Sequence, residues 1–128
     1  MSYYFAKEID ATFDEAVEKV TAILKEKGFG ILTEIDVKAT LKAKIDVDFR
    51  PYTILGACNP PFAHKALQAE NKIGTMLPCN VVVQQADSGR VEVAAIDPAA
   101  SMQAVENREL EAIAGEVRAL LQAAIDEL

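Results

Sequence analysis

Two segments of this chain repeat apolar residues at the spacing of an α-helix, and each carries a single apolar stripe. The first begins at Thr12, where Thr12-Phe13-Asp14-Glu15 fits a capping box, and Gly28 ends it. The second runs from about residue 107 to residue 125, and its other face is acidic. A helix with one apolar stripe must bury that stripe against another layer of structure. The rest of the chain therefore has to supply a layer on which both helices pack.

Strands are the expected source of that layer. Segments rich in β-branched and aromatic residues occur at residues 3–9, 29–35, 52–58, 79–85 and 90–96. The last two are separated by Asp87-Ser88-Gly89, which predicts a hairpin. The third is apolar on both faces apart from Thr53, and this pattern predicts a central strand that is covered on both sides.

Shorter helices complete the expected order of elements. Asp36 can cap one of them, and Pro60-Pro61 can open another that extends to about residue 71. The resulting order, β-α-β-α-β-α-β-β-α, predicts an α+β fold: a single compact domain over residues 1–128, with about five strands in one sheet packed by two long helices plus shorter ones. A chain of 128 residues can bury enough surface to fold without disulfides.

Charge and hydropathy narrow the range of partners. The formal net charge is −7 and the lysines are scattered, so we expect no cationic surface for nucleic acid or for an anionic membrane. No apolar run approaches the roughly 20 residues of a membrane-spanning helix, and the first ten residues lack the order of a signal peptide. These features predict a soluble cytoplasmic protein whose two cysteines remain thiols.

The most distinctive side chains gather at two junctions between a strand and a turn. Cys58 ends the third strand just before Asn59-Pro60-Pro61, and Cys79 begins the fourth strand. Partial positive charge at the start of the helix that the prolines open would favour a thiolate at Cys58. If the two strands are neighbours, both sulfur atoms could face one pocket. A cysteine on an apolar strand is equally an ordinary core residue, and the sequence leaves both interpretations open.

Four polar residues near the cysteines complete the candidate site. His64 lies away from the apolar face of its helix, as a base, a ligand or a surface residue, and Glu70 is either a buried acid or a solvated one. Asn59 and Asn80 each follow a cysteine directly and can bind an anion or cap a turn. The candidate ligand-binding residues are Cys58, Asn59, His64, Glu70, Cys79 and Asn80, and the catalytic candidates among them are Cys58, His64 and Cys79.

These residues do not identify a metal or a cofactor. Two thiols and one imidazole are one ligand short of a closed zinc site, so a metal would need a carboxylate, water or a second subunit. No nucleotide-binding glycine motif or hydrolase motif is present.

A set of short motifs runs through the whole chain. The motifs are DVKATL at 36–41, YTILGACNP at 52–60, AL at 66–67, Gly74, LPCN at 77–80 and DP at 97–98. This set resembles the domain-of-unknown-function 302 family, and the combination of GACNP with LPCN is its most specific part. The resemblance implies a compact α+β domain that is a dimer in some members, with no established activity. Some relatives occur beside sulfur or redox genes. Many carry an Arg where this chain has Asn80, so an anion-binding role for that Arg does not carry over.

Three hypotheses for function follow. The first is a binding module, expected to be a homodimer, for a small anion, a sulfur or thiol species or a metal ion in a pocket between Cys58, His64 and Cys79. The second is a thiol-dependent redox enzyme in which Cys58 reacts, Cys79 resolves and His64 is the base. The third is a structural or interaction subunit with buried cysteines.

Overall fold

The five strands form one antiparallel sheet, and the bounds of its elements lie close to those that the sequence predicts. The computed structural model describes residues 2–128. Its elements are β1 (Tyr4–Ile9), α1 (Phe13–Glu26), β2 (Gly30–Asp36), α2 (Val37–Ile45), β3 (Tyr52–Cys58), α3 (Pro60–Ala69), a 3-10 turn (Ile73–Met76), β4 (Cys79–Gln85), β5 (Val91–Ile96), α4 (Pro98–Ser101) and α5 (Arg108–Asp126). The strand order in the sheet is β1-β5-β4-β3-β2. The predicted α+β fold is confirmed.

The two long helices, α1 and α5, cover one face of the sheet, which we call the inner face. Alternate residues of β4 and β5 point to it and are buried, in keeping with the period of two in a strand. The core that they form with the two helices contains Val81, Val83, Val91, Val93 and Ala95 from the strands, and Ala16, Val20, Leu24, Leu121 and Ala124 from the helices. The single apolar stripe of each helix is therefore buried as expected.

The helix ends follow local capping signals. The Thr12 hydroxyl accepts a hydrogen bond from the Glu15 backbone N–H, and the Glu15 carboxylate accepts one from the Thr12 backbone N–H. Asp36 and Asn107 each cap a helix through one side-chain oxygen, which accepts from the Ala39 backbone N–H in α2 and from the Leu110 backbone N–H in α5. Each cap satisfies a backbone donor that the helix itself leaves unpaired. Within residues 2–128, none of the helices is both long enough and apolar enough to cross a membrane.

The opposite face of the sheet, which we call the open face, differs from what the sequence predicts. β3 lies between β2 and β4, as an internal strand should, but it is not covered on both sides. Its outward residue Ile54 is only half-buried, and the neighbouring Ile35 of β2 is 46% exposed. The prediction of two-sided cover was wrong because both long helices pack on the inner face, while α2 is short and buries none of its residues. An apolar surface is thereby left uncovered on the sheet.

We expect Gly56→Ala to lower the free energy of unfolding by about 1–3 kcal/mol, because a methyl group has no room at this position of β3. An added Cβ would lie 2.7 Å from Pro78 Cγ and would overlap the Thr33 hydroxyl. Urea unfolding followed by circular dichroism measures the loss. Thr33→Ala in the same chain should recover part of it.

Gly30→Ala is the matched control for this substitution. Gly30 lies on the adjacent strand β2, and an added Cβ would meet nothing within 4 Å. The control should be close to neutral or slightly stabilising, since alanine restricts the unfolded chain. Equal stability of Gly56→Ala and Gly30→Ala would contradict the steric explanation.

Candidate functional site

A cavity of about 350 Å³ lies at one end of the inner face, between the ends of β3 and β4 and the helices α3, α4 and α5. Its walls are almost wholly apolar. Some of the side chains that line it, such as Ala57, Ala66 and Leu110, are buried, whereas Leu32 and Leu67 on its rim are 65% and 44% exposed. The cavity is therefore reached from solvent past two leucines. The polar side chains that line it are Cys58, Asn59 and Cys79.

The pairing of β3 with β4 brings the two cysteines together. In this antiparallel pair Ala57 lies directly opposite Cys79, so Cys58 is the next residue along the neighbouring strand. Both cysteines border the cavity and neither is in a disulfide. Cys58 is half-buried, and Cys79 is buried with 8% of its surface exposed. The two strands are therefore neighbours, which the sequence left open, and the period of two places the side chain of Ala57, next to Cys58, on the same face as Cys79.

Asn59 links the start of α3 to the end of α1. Its side chain does not cap α3. Instead, Asn59 Nδ2 lies 3.5 Å from the Lys27 carbonyl oxygen, to which it donates. Gly28 makes this approach possible, since it has a φ of +92° and an added Cβ would lie 3.1 Å from Asn59 Nδ2. The Asn59 side chain therefore ties the turn after Cys58 to the backbone at the end of α1.

The helices α3 and α5 form the wall opposite the sheet. Ala66 and Ala114 are buried in the cluster between these helices, and their small side chains leave the space that larger residues would fill. Asn107 ties the two helices together. Its Nδ2 donates to the Ala69 carbonyl oxygen at 2.8 Å, and its Oδ1 accepts from the Leu110 backbone N–H at 3.1 Å. The Asn107 side chain thus binds the end of α3 and caps the start of α5.

Burial changes the acidity of one thiol. Removal from water raises the pKa of Cys79 to about 11, and the neighbouring Cys58 thiol adds to this shift. Cys79 is therefore a neutral thiol at physiological pH, since a thiolate there would lie in an apolar cavity with no cationic group lining it.

The six candidate residues divide into two groups. Cys58, Asn59 and Cys79 line the cavity. His64 is exposed on α3 and does not line it. Glu70 is the C-terminal cap of α3, and its carboxylate accepts from the Lys72 backbone N–H at 3.3 Å. Asn80 is exposed on the open face, on the other side of the sheet from the cavity.

Several cavity residues were not expected from the sequence. Met102 and Pro98 come from α4 and the residue after it, and Ala114 and Val117 come from α5. These residues are far from both cysteines in the sequence and have no polar chemistry. The signal that the sequence offers is Ala114, a small residue in the apolar stripe of α5, which marks a place where another element approaches or a space remains.

The donor set in this region does not amount to a metal site on its own. Over residues 2–128, there is no group of three or more His, Cys, Asp and Glu side chains arranged to hold a metal ion. A closed zinc site takes four such ligands. The two thiols are the soft ligands that this end of the cavity provides.

The family relationship follows from comparisons with known proteins. Residues 5–128 match the family described as "Domain of unknown function DUF302". The chain belongs to this family. A crystal structure of an uncharacterized conserved DUF302 protein from Bacillus stearothermophilus has 28% sequence identity, covers 98% of both chains and superposes with a TM-score of 0.91. No curated protein matches the chain. The resemblance drawn from the GACNP and LPCN motifs is confirmed.

The buried thiol of this DUF302 domain should make its stability depend on alkaline pH. The unfolded chain releases the Cys79 proton near the ordinary value of 9.0, but the folded chain holds it to about 11. The free energy of unfolding should therefore fall as pH rises from about 9 to about 11, by about 2–3 kcal/mol. Urea unfolding of wild type and Cys79→Ala over this range isolates the effect as the difference between them.

Cys58→Ala is the control for this measurement. It removes the neighbouring thiol but leaves Cys79 buried, so most of the pH dependence should persist. A Cys79→Ala variant with the same alkaline slope as wild type would show that Cys79 titrates normally.

Proposed function

We propose that this DUF302 domain is a binding module for a small neutral molecule, largely apolar and suited to a sulfur-containing group at the thiol end of the cavity. The observation that carries the proposal is an accessible cavity of about 350 Å³ in which Asn59 and two thiols are the polar lining side chains. Small-molecule sites are typically of this kind, mostly apolar with a few polar groups that fix orientation.

The size of the cavity bounds its occupant. A dry engineered cavity of about 150 Å³ accepts benzene, and the present cavity is roughly twice as large. A ligand of about two fused rings, or an aliphatic molecule of similar volume, would fill it. Water alone would leave the apolar walls poorly hydrated, so displacement of that water favours binding.

Of the three ligand classes expected from the sequence, a sulfur or thiol species has the most support. An anion would lose its hydration in the cavity and find no Lys, Arg or His side chain lining it. The first helical residues of α3, Pro60 and Pro61, offer no backbone N–H to an anion. A metal ion would find two thiols, one of them with a pKa of about 11. A neutral sulfur compound needs none of these groups.

We expect neutral 2-naphthol to bind in the cavity and anionic 2-naphthoate not to bind. The two probes have similar size and differ in charge, so they test the apolar character of the site directly. Chemical shifts of backbone amides during titration report binding, and Ala57 and Ala66 should be among the residues perturbed by the neutral probe. Equal binding of both probes, or binding of neither, would contradict the proposed ligand class.

Ala66→Leu tests whether the cavity is the site. The larger side chain occupies the cavity from α3 and should abolish binding of 2-naphthol. Ala69→Leu is the matched control, because it makes the same change on the same helix outside the cavity lining. Native mass spectrometry of protein purified without oxygen then shows whether a retained ligand disappears in Ala66→Leu and in Cys58→Ala while it persists in Ala69→Leu.

A second candidate function is a thiol-dependent redox reaction. The observation that favours it is the placement of Cys58 and Cys79 on adjacent strands beside one cavity. In this scheme the Cys58 thiolate attacks a disulfide substrate, forms a mixed disulfide and expels one thiolate, and Cys79 then displaces the second. Two features count against it: Cys79 must lose a proton with a pKa of about 11, and the exposed His64 does not line the cavity as a base. Binding is therefore the better supported function.

We expect iodoacetamide to modify Cys58 before Cys79 at neutral pH, by a rate factor of at least about 10, because Cys79 is both buried and protonated. Mass spectrometric mapping of the two peptides over time measures the two rates. In urea the rates should converge. If both thiols react equally slowly in the folded protein, the result counts against the redox reaction and favours the third hypothesis, of buried core cysteines; if both react as fast as in urea, burial does not protect Cys79.

The expected homodimer and the expected cytoplasmic location are also proposals. Two unbonded cysteines beside one cavity are what a reducing compartment maintains, which supports the location. The open face of the sheet supports a homodimer.

A further inference from the structure

We propose that the ligand of this DUF302 domain is elongated, and that it leaves the cavity through a mouth between Leu32 and Leu67 with a neutral polar end in water. This inference rests on the proposed binding function and concerns the shape of the ligand. It starts from Leu32 on β2, which is 65% exposed and nevertheless lines the cavity.

Leu32 is the extra residue of a β-bulge. In the pairing of β2 with β3, Ile31 lies opposite Ala57 and Thr33 lies opposite Gly56, so three residues of β2 face two consecutive residues of β3. Leu32 therefore has no partner on β3. A regular strand would turn Leu32 to the open face, because Ile31 packs against the inner-face core. A bulge redirects a side chain, and Leu32 lies at the edge of the cavity instead.

The helical part of the mouth is formed by α3 and the 3-10 turn. Leu67 is 44% exposed there, and Gly74 of the 3-10 turn is exposed and also lines the cavity. A Cβ added to Gly74 would lie 3.9 Å from Leu67 Cδ2. The φ of Gly74 is not positive, so the backbone does not require glycine at this position. What glycine provides is space beside Leu67, and this space keeps the mouth open.

The two exposed leucines indicate how far a ligand extends. A single exposed leucine is ordinary on a protein surface. Leu32 on the sheet and Leu67 on α3 are instead both at the opening of an apolar cavity, and they continue its apolar walls to the solvent. A ligand confined to the cavity would leave both leucines in water. A ligand that passes through the mouth would bury them, and the hydrophobic effect favours that arrangement.

The end of the ligand beyond the mouth lies in water. A hydroxyl group there keeps its hydrogen bonds to water, whereas inside the cavity it would need a partner among Cys58, Asn59 and Cys79. An anionic end is disfavoured by the net charge of −7. The ligand class is therefore a neutral amphipathic molecule with an apolar chain in the cavity and an uncharged polar group outside it. The sulfur-containing group of the proposed function belongs to the part inside.

Isothermal titration calorimetry of the full chain with 1-alkanols of increasing length tests this inference. For wild type, each added methylene should strengthen binding about fourfold while the chain is still filling the cavity. Longer chains cross the mouth. For these, Leu32→Ala should weaken binding about 3–10-fold, because it removes apolar contact, while the affinity of short alkanols stays unchanged. Leu67→Ala should have the same effect from α3.

Ile35→Ala is the matched control for these variants. Ile35 is an exposed apolar residue of the same strand as Leu32, but it lies on the open face and does not line the cavity. Every alkanol should therefore bind this variant as it binds wild type.

The possible outcomes separate this inference from the proposed function. If wild type binds no alkanol, the cavity is not a site for neutral apolar molecules and both are wrong. If wild type, Leu32→Ala and Leu67→Ala bind alkanols of every length equally, the proposed function stands and the inference is overturned. A loss as large for short alkanols as for long ones would place the two leucines around the body of the ligand, which overturns its elongated shape.

Discussion

The arrangement of the molecule depends on burial of one face of the sheet by α1 and α5. Val81, Val83, Val91 and Val93 are 0–1% exposed on that face, and each is worth about 1.5–3 kcal/mol relative to exposure. A shift of one residue in the pairing of β4 with β5 would turn the two valines of one of these strands toward solvent. The hydrophobic effect therefore fixes the register of these strands, and the register fixes where every other side chain on β4 points.

The cavity is a consequence of the same packing at the end of the sheet. The inner face is filled by valines near its middle, but Ala57, Ala66 and Ala114 surround its end and do not reach one another. Cys79 lies at that end among apolar side chains, and its removal from water raises the pKa of its thiol. The chemistry of the site is therefore set less by the cysteines than by the apolar walls around them.

Local signals in the sequence were enough to predict the helices and strands, but they were not enough to predict which residues line the cavity. The capping box at Thr12 and the cap at Asn107 act over three residues, and the helix ends that they predict are observed. The neighbouring positions of Cys58 and Cys79 depend on strand order, which pairs residues far apart in the chain. His64, Glu70 and Asn80 were included because they are near the cysteines in sequence. The period of two in a strand already predicts that the Asn80 side chain points to the other face of the sheet from Cys79.

The LPCN motif shows how one strand serves two surfaces. Cys79 points to the inner face and lines the cavity, while Asn80, the next residue, points to the open face and lines a groove with Tyr4 and Ile96. Because β4 lies in the middle of the sheet and is paired on both sides, a change at one of these residues cannot move the backbone without moving the other. The two residues of the motif therefore belong to different surfaces that share one rigid strand.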